Sequence, residues 1–501
     1  MELWLLLILL GLFTYLIVKR SVATITRTPV WLLWLVMMTP ALIWTGWILV
    51  YGEDTRMPPV LEIAPFVVCP LLYWVLIQMG RREINTPSTK TQEMAATNQS
   101  QNPTEAKAVV PPVPVSSYRP IDKTEETNLR NCFPWSIYYL QNIDYRPQAV
   151  ICRGKLRSNP EVAYKTIREN IENLFSDRFF VVFQEGLNKD PFFALVPNPQ
   201  AHPETQQNTE PLKRPGLALA LLVVTLLTTA LVGVEIAGVS NSQLQSNPAL
   251  LLAGLPYAVA LIGILGIHEI SHYLTAQYYK IRTTLPYFIP VPFFLGTFGA
   301  FIQRRSPIPN RKALFDVGIA SALAGFVVAL PLLWWGLAHS AVVPLSDQSN
   351  ILNFTSLNPR FSLFLTVLSK LALGTEFTSN MAIKLHPVAV AAYIGFVWTA
   401  FKLMPVGHLD GGHIVHAMFG QRTGATIGQV TRLLMLGLSL VQTDLFIWAI
   451  FLFLIPVADE PALNDVSELD NKRDFGGLLA LALLVSILLP VPGTITQWLN
   501  I

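Results

Sequence analysis

Residues 215–234, PGLALALLVVTLLTTALVGV, carry no charged side chain over a length that crosses a bilayer. Such a run leaves few folds open. In hydrocarbon no water satisfies an exposed backbone N–H or C=O, so a lone segment of this kind must close its hydrogen bonds internally, as a helix. Comparable apolar runs lie at 2–18, 29–50, 59–79, 248–279, 313–337 and 387–404. Only 13% of the 501 residues are charged and 52% are hydrophobic, against roughly 25% charged in a soluble domain. The chain therefore reads as an α-helical polytopic membrane protein of about 8–10 spanning helices. Its net charge of +3 is too small to imply nucleic acid as a partner.

Charge and turn residues divide the runs. Lys19, Arg20 and Arg27 follow the first run, and Arg81 and Arg82 follow the third. By the positive-inside rule these segments face the cytoplasm and the N-terminus lies outside. The opening segment has neither the leader and cleavage site of a signal peptide nor the composition of a transit peptide, and reads as a retained helix. Residues 1–80 thus form a three-helix membrane segment, in which Glu62 reads as an interfacial carboxylate. Residues 81–147 change to Pro, Ser, Thr, Gln, Asn and Glu, a composition that cannot bury enough apolar surface to offset chain entropy. They read as a flexible linker. Residues 148–200 then alternate strand and helix patterns: AVICRGKL, an amphipathic helix over 159–175, RFFVVFQEG and DPFFALVPNP. They read as a small cytoplasmic α/β domain, open to a cytoplasmic partner. Residues 201–214 are a second linker, and 215–495 a second membrane block. Cys69, Cys132 and Cys152 lie far apart, in no disulfide or metal pattern.

Within that block, 263–280 reads GILGIHEISHYLTAQYYK. Residues four apart lie one turn above each other on a helix, so His268 and His272 can hold one zinc ion. Glu269 can reach a zinc-bound water as general base. Ionisable groups are costly at membrane depth and mark function by default. The plainer reading is a helix that ends early, with the trio among headgroups. Residues 283–303 are apolar but broken by Pro286, Pro290, Pro292, Gly296 and Gly299, which precludes a regular helix. Irregular backbone at this depth must be buried in protein or line a wet cavity, so a re-entrant loop or hairpin beside the site is expected. An interfacial loop is the alternative. Residues 428–456, interrupted at 442–444, are either one broken helix or a helical hairpin.

Catalytic zinc usually takes three protein ligands and leaves one position open. Five of the eight histidines fall in two clusters, 268/272 and 408/413/416, and the second surrounds Asp410. Both approach the cytoplasmic side on this topology. Asp410 is the expected third ligand, with His408, His413 and His416 as rivals, and one zinc per chain follows. Gly411 and Gly412 would let backbone pack close there. The plainer reading of DGG is a tight turn that opens a helix.

These features resemble the site-2 protease family of intramembrane zinc metalloproteases, through HEISH (268–272), GTFGAFIQ (296–303) and MPVGHLDGG (404–412). The family's Asn-x-x-Pro, three residues, then Leu-Asp-Gly is met by Pro405, Leu409, Asp410 and Gly411, with Lys402 in place of the Asn. Gly154-Lys155-Leu156-Arg157 stands where the cyanobacterial and chloroplast-type subgroup has Gly-Asn-Leu-Arg. The resemblance covers about residues 145–490 and implies zinc held by His268, His272 and Asp410, with Glu269 as base. It implies cleavage of transmembrane protein substrates. It also implies substrate contacts at Lys402, Pro405, Gly296 and Gly299, in a thylakoid or plasma membrane with the catalytic side toward the cytoplasm. Two other functions compete. One is a weakly active, protease-like scaffold for membrane proteins, motivated by Lys402, whose cation would either disturb the metal or snorkel to the interface. The other is a metal or proton transporter, which would need no base beside His268.

Overall fold

The computed structural model describes residues 28–52, 121–146, 149–186, 190–198, 214–291, 295–346, 353–378 and 380–499, with single positions at 11, 14, 15, 65, 69, 72, 73, 76 and 201. The chain divides into two compact units, Met1–Pro114 and Val115–Ile501. In the first, α1 (Val30–Tyr51) is a 22-residue apolar helix. The spans expected at 2–18 and 59–79 lie outside the described residues except at single helical positions, and Glu62 and the linker up to residue 120 lie outside them too.

The second unit opens with the expected α/β domain, which begins earlier than residue 148. Helix α2 (Lys123–Asn131) and strand β1 (Tyr138–Arg146) precede β2 (Ala149–Leu156), α3 (Pro160–Phe175), β3 (Phe179–Glu185) and β4 (Pro191–Pro197). The four strands form an antiparallel sheet in the order β1-β2-β4-β3. Leu129, Tyr138 and Ile143, all within the expected linker, are buried in its core with Ile167 and Phe193. The physical reason is local. α2 is polar on most of its surface, and a register shift between Leu140 and Asn142 breaks the alternation that would advertise β1. Helix α3 follows the pattern its sequence dictates: Asn159 caps it through Glu161 N, Pro160 opens it, and Ile167, Ile171 and Phe175 face the sheet. Among the described residues all three cysteines are buried and free. Burial pushes the Cys152 thiol up to about 12, which keeps it protonated and inert.

The membrane block follows. Helix α4 (Pro215–Ile236) is the uncharged run. A 3₁₀ stretch, Pro248–Gly254, leads into α5 (Leu255–Tyr278), so Pro256 lies in the first turn, where its missing N–H costs nothing. The Pro- and Gly-broken run forms a hairpin of β5 (Tyr287–Pro290) and β6 (Thr297–Phe301). Helix α6 (Arg311–Ala338) is capped by Asn310 through Ala313 N. Then come β7 (Ala341–Pro344), α7 (Leu363–Leu373), β8 (Met381–Lys384) and α8 (Pro387–Lys402). The sequence ends in α9 (Asp410–Phe419), α10 (Gln421–Val441), α11 (Phe446–Leu454), α12 (Asn471–Leu488) and α13 (Gly493–Leu499).

Four helices among the described residues are long and apolar enough to cross a membrane: α1, α4, the run Pro248–Tyr278 and α6. α12 and α13, bent by 79°, make a fifth if counted as one span, and α8 is apolar but shorter. The break at 442–444 resolves as a helical hairpin. Arg432 of α10 donates to the Ile455 carbonyl at the far end of α11, so α11 folds back along α10. The core between α5, α6 and α8 is filled by Leu261, Ile264, Leu333, Ala389 and Phe396. At one end of these helices, Arg473 of α12 donates to both oxygens of Asp316 at 2.7 and 2.6 Å. Tyr279 donates to the same carboxylate, which ties α5, α6 and α12 together.

Candidate metal centre

Helix α5 delivers His268 and Glu269 on adjacent positions, 2% and 4% exposed, and His272 one turn on, half-buried. Asp410 opens α9 and is 2% exposed. Its placement depends on a tight approach of backbone to backbone. A Cβ on Gly411 would run into the Leu403 carbonyl, and one on Gly412 into the carbonyl of Gly407. Only hydrogen at these positions lets α9 start against the 403–408 turn.

The two clusters meet. His268 Nε2 lies 3.2 Å from Asp410 Oδ2. They are near but misaligned: both ring nitrogens of His268 are buried without a hydrogen-bond partner. Ser321 of α6 donates to Asp410 Oδ2 at 3.1 Å and orients it. An unpaired buried imidazole is costly, and such a group calls for an explanation such as an absent ion. Two donors on one zinc ion at tetrahedral angle lie about 3.4 Å apart, close to the observed separation. Two imidazoles and a carboxylate are also the donor set that catalytic zinc uses. The residues therefore fit zinc in chemistry, and His268 and Asp410 fit it in spacing. Among the described residues, however, no three His, Cys, Asp or Glu side chains close on one point as a ligand set. His272 is the donor one turn from the pair.

Lys402, the last residue of α8, acts electrostatically on Glu269, His272 and Asp410. Its Nζ lies 5.8 Å from the centre of the Trp398 ring. Pro405 is buried in the turn before α9. Gly296 and Gly299 are buried in the β5–β6 hairpin at φ 81° and 97°. Gly296 accepts from Thr228 Oγ1 at 2.7 Å, and a Cβ on it would run into the Thr229 backbone of α4, while one on Gly299 would crowd the Trp398 ring. Tyr257 OH donates to the Leu295 carbonyl and fastens the hairpin to α5.

The rival histidines are engaged elsewhere. Asp459, in the loop after α11, accepts from His413 Nδ1 at 2.6 Å and His416 Nδ1 at 3.1 Å, with His408 Nδ1 3.3 Å from its other oxygen. Asp465 pairs with His416 Nε2 at 2.9 Å. Burial opposes charge on His416, but the two carboxylates outweigh it and hold its pKa up at about 9. Burial likewise opposes charge on Asp459, and the three histidines outweigh it and hold that carboxyl well below the usual range. Sequence reading missed Ser321, Asp459 and Asp465. Ser321 carries a faint signal, as a polar residue on a stripe of small ones, Gly318, Ala322 and Gly325, in a spanning helix. The two aspartates look like ordinary loop surface.

Residues 256–441, from α5 through α10, match Peptidase family M50. The matched stretch contains His268, Glu269, His272 and Asp410. The relatives are of the chloroplast type. "Probable zinc metalloprotease EGY2, chloroplastic" of Arabidopsis thaliana is 28% identical over 371 residues, 73% of this chain and 64% of that protein. "Probable zinc metalloprotease EGY1, chloroplastic" of the same plant is 35% identical over 242 residues, 48% of this chain and 43% of that protein. "Probable zinc metalloprotease EGY2, chloroplastic" of Oryza sativa subsp. indica is 27% identical over 369 residues, 72% of this chain and 65% of that protein. The chain thus spans less than two thirds of the length of these relatives. No solved structure matches it.

Proposed function

We propose that this protein is an intramembrane zinc metalloendopeptidase that cuts transmembrane segments of other membrane proteins. The observation that carries the reading is the buried, unpaired His268 within 3.2 Å of Asp410, with Glu269 buried beside it. His268, His272 and Asp410 would hold one zinc ion per chain, which supplies Lewis acidity toward a peptide carbonyl and acidifies a water. Glu269 takes the proton of the attacking water and hands it to the leaving amine nitrogen. Its burial keeps bulk water from the proton's path. Ser321 keeps the Asp410 carboxylate in one orientation.

A helical substrate hides its backbone in hydrogen bonds and must unwind before attack. Among the described residues the β5–β6 sheet has two strands, so each has an edge on which an unwound segment can pair as an added strand. Gly296 and Gly299 shape that hairpin, Lys402 lies against the same Trp398 ring that Gly299 faces, and Pro405 sits in the turn before Asp410. The membrane is a plasma or thylakoid membrane, with the site toward the cytoplasm and lipid around the helices. The domain at 121–198 is a candidate seat for a cytoplasmic partner.

A second reading is a weakly active scaffold, favoured by the cation of Lys402 acting on Glu269, His272 and Asp410. The deciding experiment measures bound metal for wild type, His268→Ala and Asp410→Ala in detergent, with cleavage of a transmembrane substrate. About one zinc per chain, lost in both variants, with chelator-sensitive cleavage, supports the protease. Zinc-free wild type that cuts nothing but still binds membrane proteins supports the scaffold.

A further inference from the structure

Asp459 and Asp465 belong to a loop, residues 455–470, whose backbone is paired on two sides. On the membrane side Leu463 N donates to the Ile308 carbonyl at 2.9 Å and Asn464 N to the Pro309 carbonyl at 3.0 Å. On the other side Phe183 N donates to the Leu463 carbonyl at 2.7 Å, and Asp465 N to the Phe183 carbonyl at 2.9 Å. Phe183 lies in β3, an edge strand of the soluble sheet, so the loop extends that sheet by a short parallel pairing. Val466 completes the contact by entering the soluble core.

The side chains of the same loop reach the other way. Asp465 meets His416 and, at 3.4 Å, Arg311 Nε. Asp459 gathers His408, His413 and His416. His413 lies one turn beyond Asp410 on α9, and Gly318 of α6 leaves the room that a Cβ would take from both the Asp410 carbonyl and the His413 side chain. The start of the loop presses on the turn before Asp410, where the Pro456 carbonyl abuts Gly407. Helix α9 has no side-chain cap at its N-terminus. Two buried carboxylates outside the helix therefore do much to fix its position.

We propose that this loop is a positioning strap: Asp459 and Asp465 hold α9, and so Asp410, at the metal site, and the soluble domain seats the strap through β3. The inference rests on the zinc reading above. It makes Asp459 and Asp465 positioning residues and the soluble domain part of the means by which the site is held ready. Charge-assisted hydrogen bonds with buried partners have the strength and direction for that task. A displacement of about 1 Å at a ligand is enough to matter.

The test uses the full chain in detergent, with zinc affinity by chelator competition and the visible spectrum of the cobalt(II)-loaded protein. Variants are Asp459→Asn, Asp459→Glu, and Val466→Asp, which puts a charge into the seat on the soluble domain. Asp144→Asn, in the ion pair with Arg153 between β1 and β2, is the control. Asp459→Asn and Val466→Asp should each weaken zinc binding by about ten- to hundred-fold and shift the cobalt spectrum. Asp459→Glu should recover part of both, and the control should change neither. Wild-type affinity and spectrum in folded Asp459→Asn and Val466→Asp would overturn the strap. Loss of metal only together with the cooperative thermal transition would overturn it too, by making the loop a general stabilising element. Zinc-free wild type would instead sink the zinc reading, and the strap with it.

Discussion

His268 Nε2 and Asp410 Oδ2 stand 3.2 Å apart, brought together from two distant apolar segments. Ser321 alone supplies a side-chain hydrogen bond to this pair among the described residues. Ser321→Ala should therefore lower zinc affinity by about ten-fold or more, as loss of partners behind metal ligands does. Competition against a chelator of known affinity checks it. Unchanged affinity would mean that packing alone orients Asp410.

On the protease reading, Glu269→Gln should abolish cleavage while leaving bound zinc near one per chain, because Glu269 would serve as base and not as ligand. Neutralising a buried carboxylate removes a desolvation cost, so the melting temperature should hold or rise. Zinc lost together with activity would give Glu269 a place among the ligands.

Lys402→Asn removes a cation that acts on Glu269, His272 and Asp410. Zinc should bind more tightly, by about two- to ten-fold for one partly screened charge. The gain should shrink in high salt. A weaker metal site in the variant would show that Lys402 supports the ligands through some other contact.

Gly411→Ala puts a methyl group where the Leu403 carbonyl lies. Overpacking of this kind should cost about 3 kcal/mol or more. Thermal unfolding and zinc content should both fall, whereas Gly437→Ala, with open space around its Cβ, should leave them unchanged.

His416 gives a pH dependence of defined sign. Its pKa in the folded protein is about 9, above the ordinary 6.5, so the folded state holds its proton more tightly. The stabilisation is complete below 6.5 and is lost as pH rises through about 9. Asp459 works oppositely: held below 3.8, it contributes above that pH and fails in acid. The charged groups around His416 are Asp459, Asp465 and Arg311, with His408 and His413 on the same carboxylate. Between 6.5 and 9 the melting temperature should fall in wild type and be flatter in His416→Gln. Equal slopes would place the titrating group elsewhere.

Much of the architecture was readable because the cost of burying backbone and charge acts locally. Residues 215–234 had to be helical, and 283–303 could not be, since Pro286, Pro290 and Pro292 lack the N–H a helix needs. The hairpin of β5 and β6 follows. Other features were hidden for equally physical reasons. β1 carries a bulge that masks its period, and α2 is too polar to announce its few buried residues, so the soluble domain extends back to residue 121.

At the site the same division holds. The sequence by itself determined that two imidazoles share one helix face with a carboxylate next to them, because helical spacing is a local property of 268–272. It also determined that Asp410 heads a glycine-permitted turn. Only the tertiary structure decided that Asp410 meets His268 while His413 and His416 turn away to Asp459 and Asp465. That choice is made by α6, whose Ser321 and Gly318 admit α9, and by a polar loop in which charge looks like surface until it is buried. Pairings between segments far apart in the chain depend on packing and desolvation that no local pattern encodes.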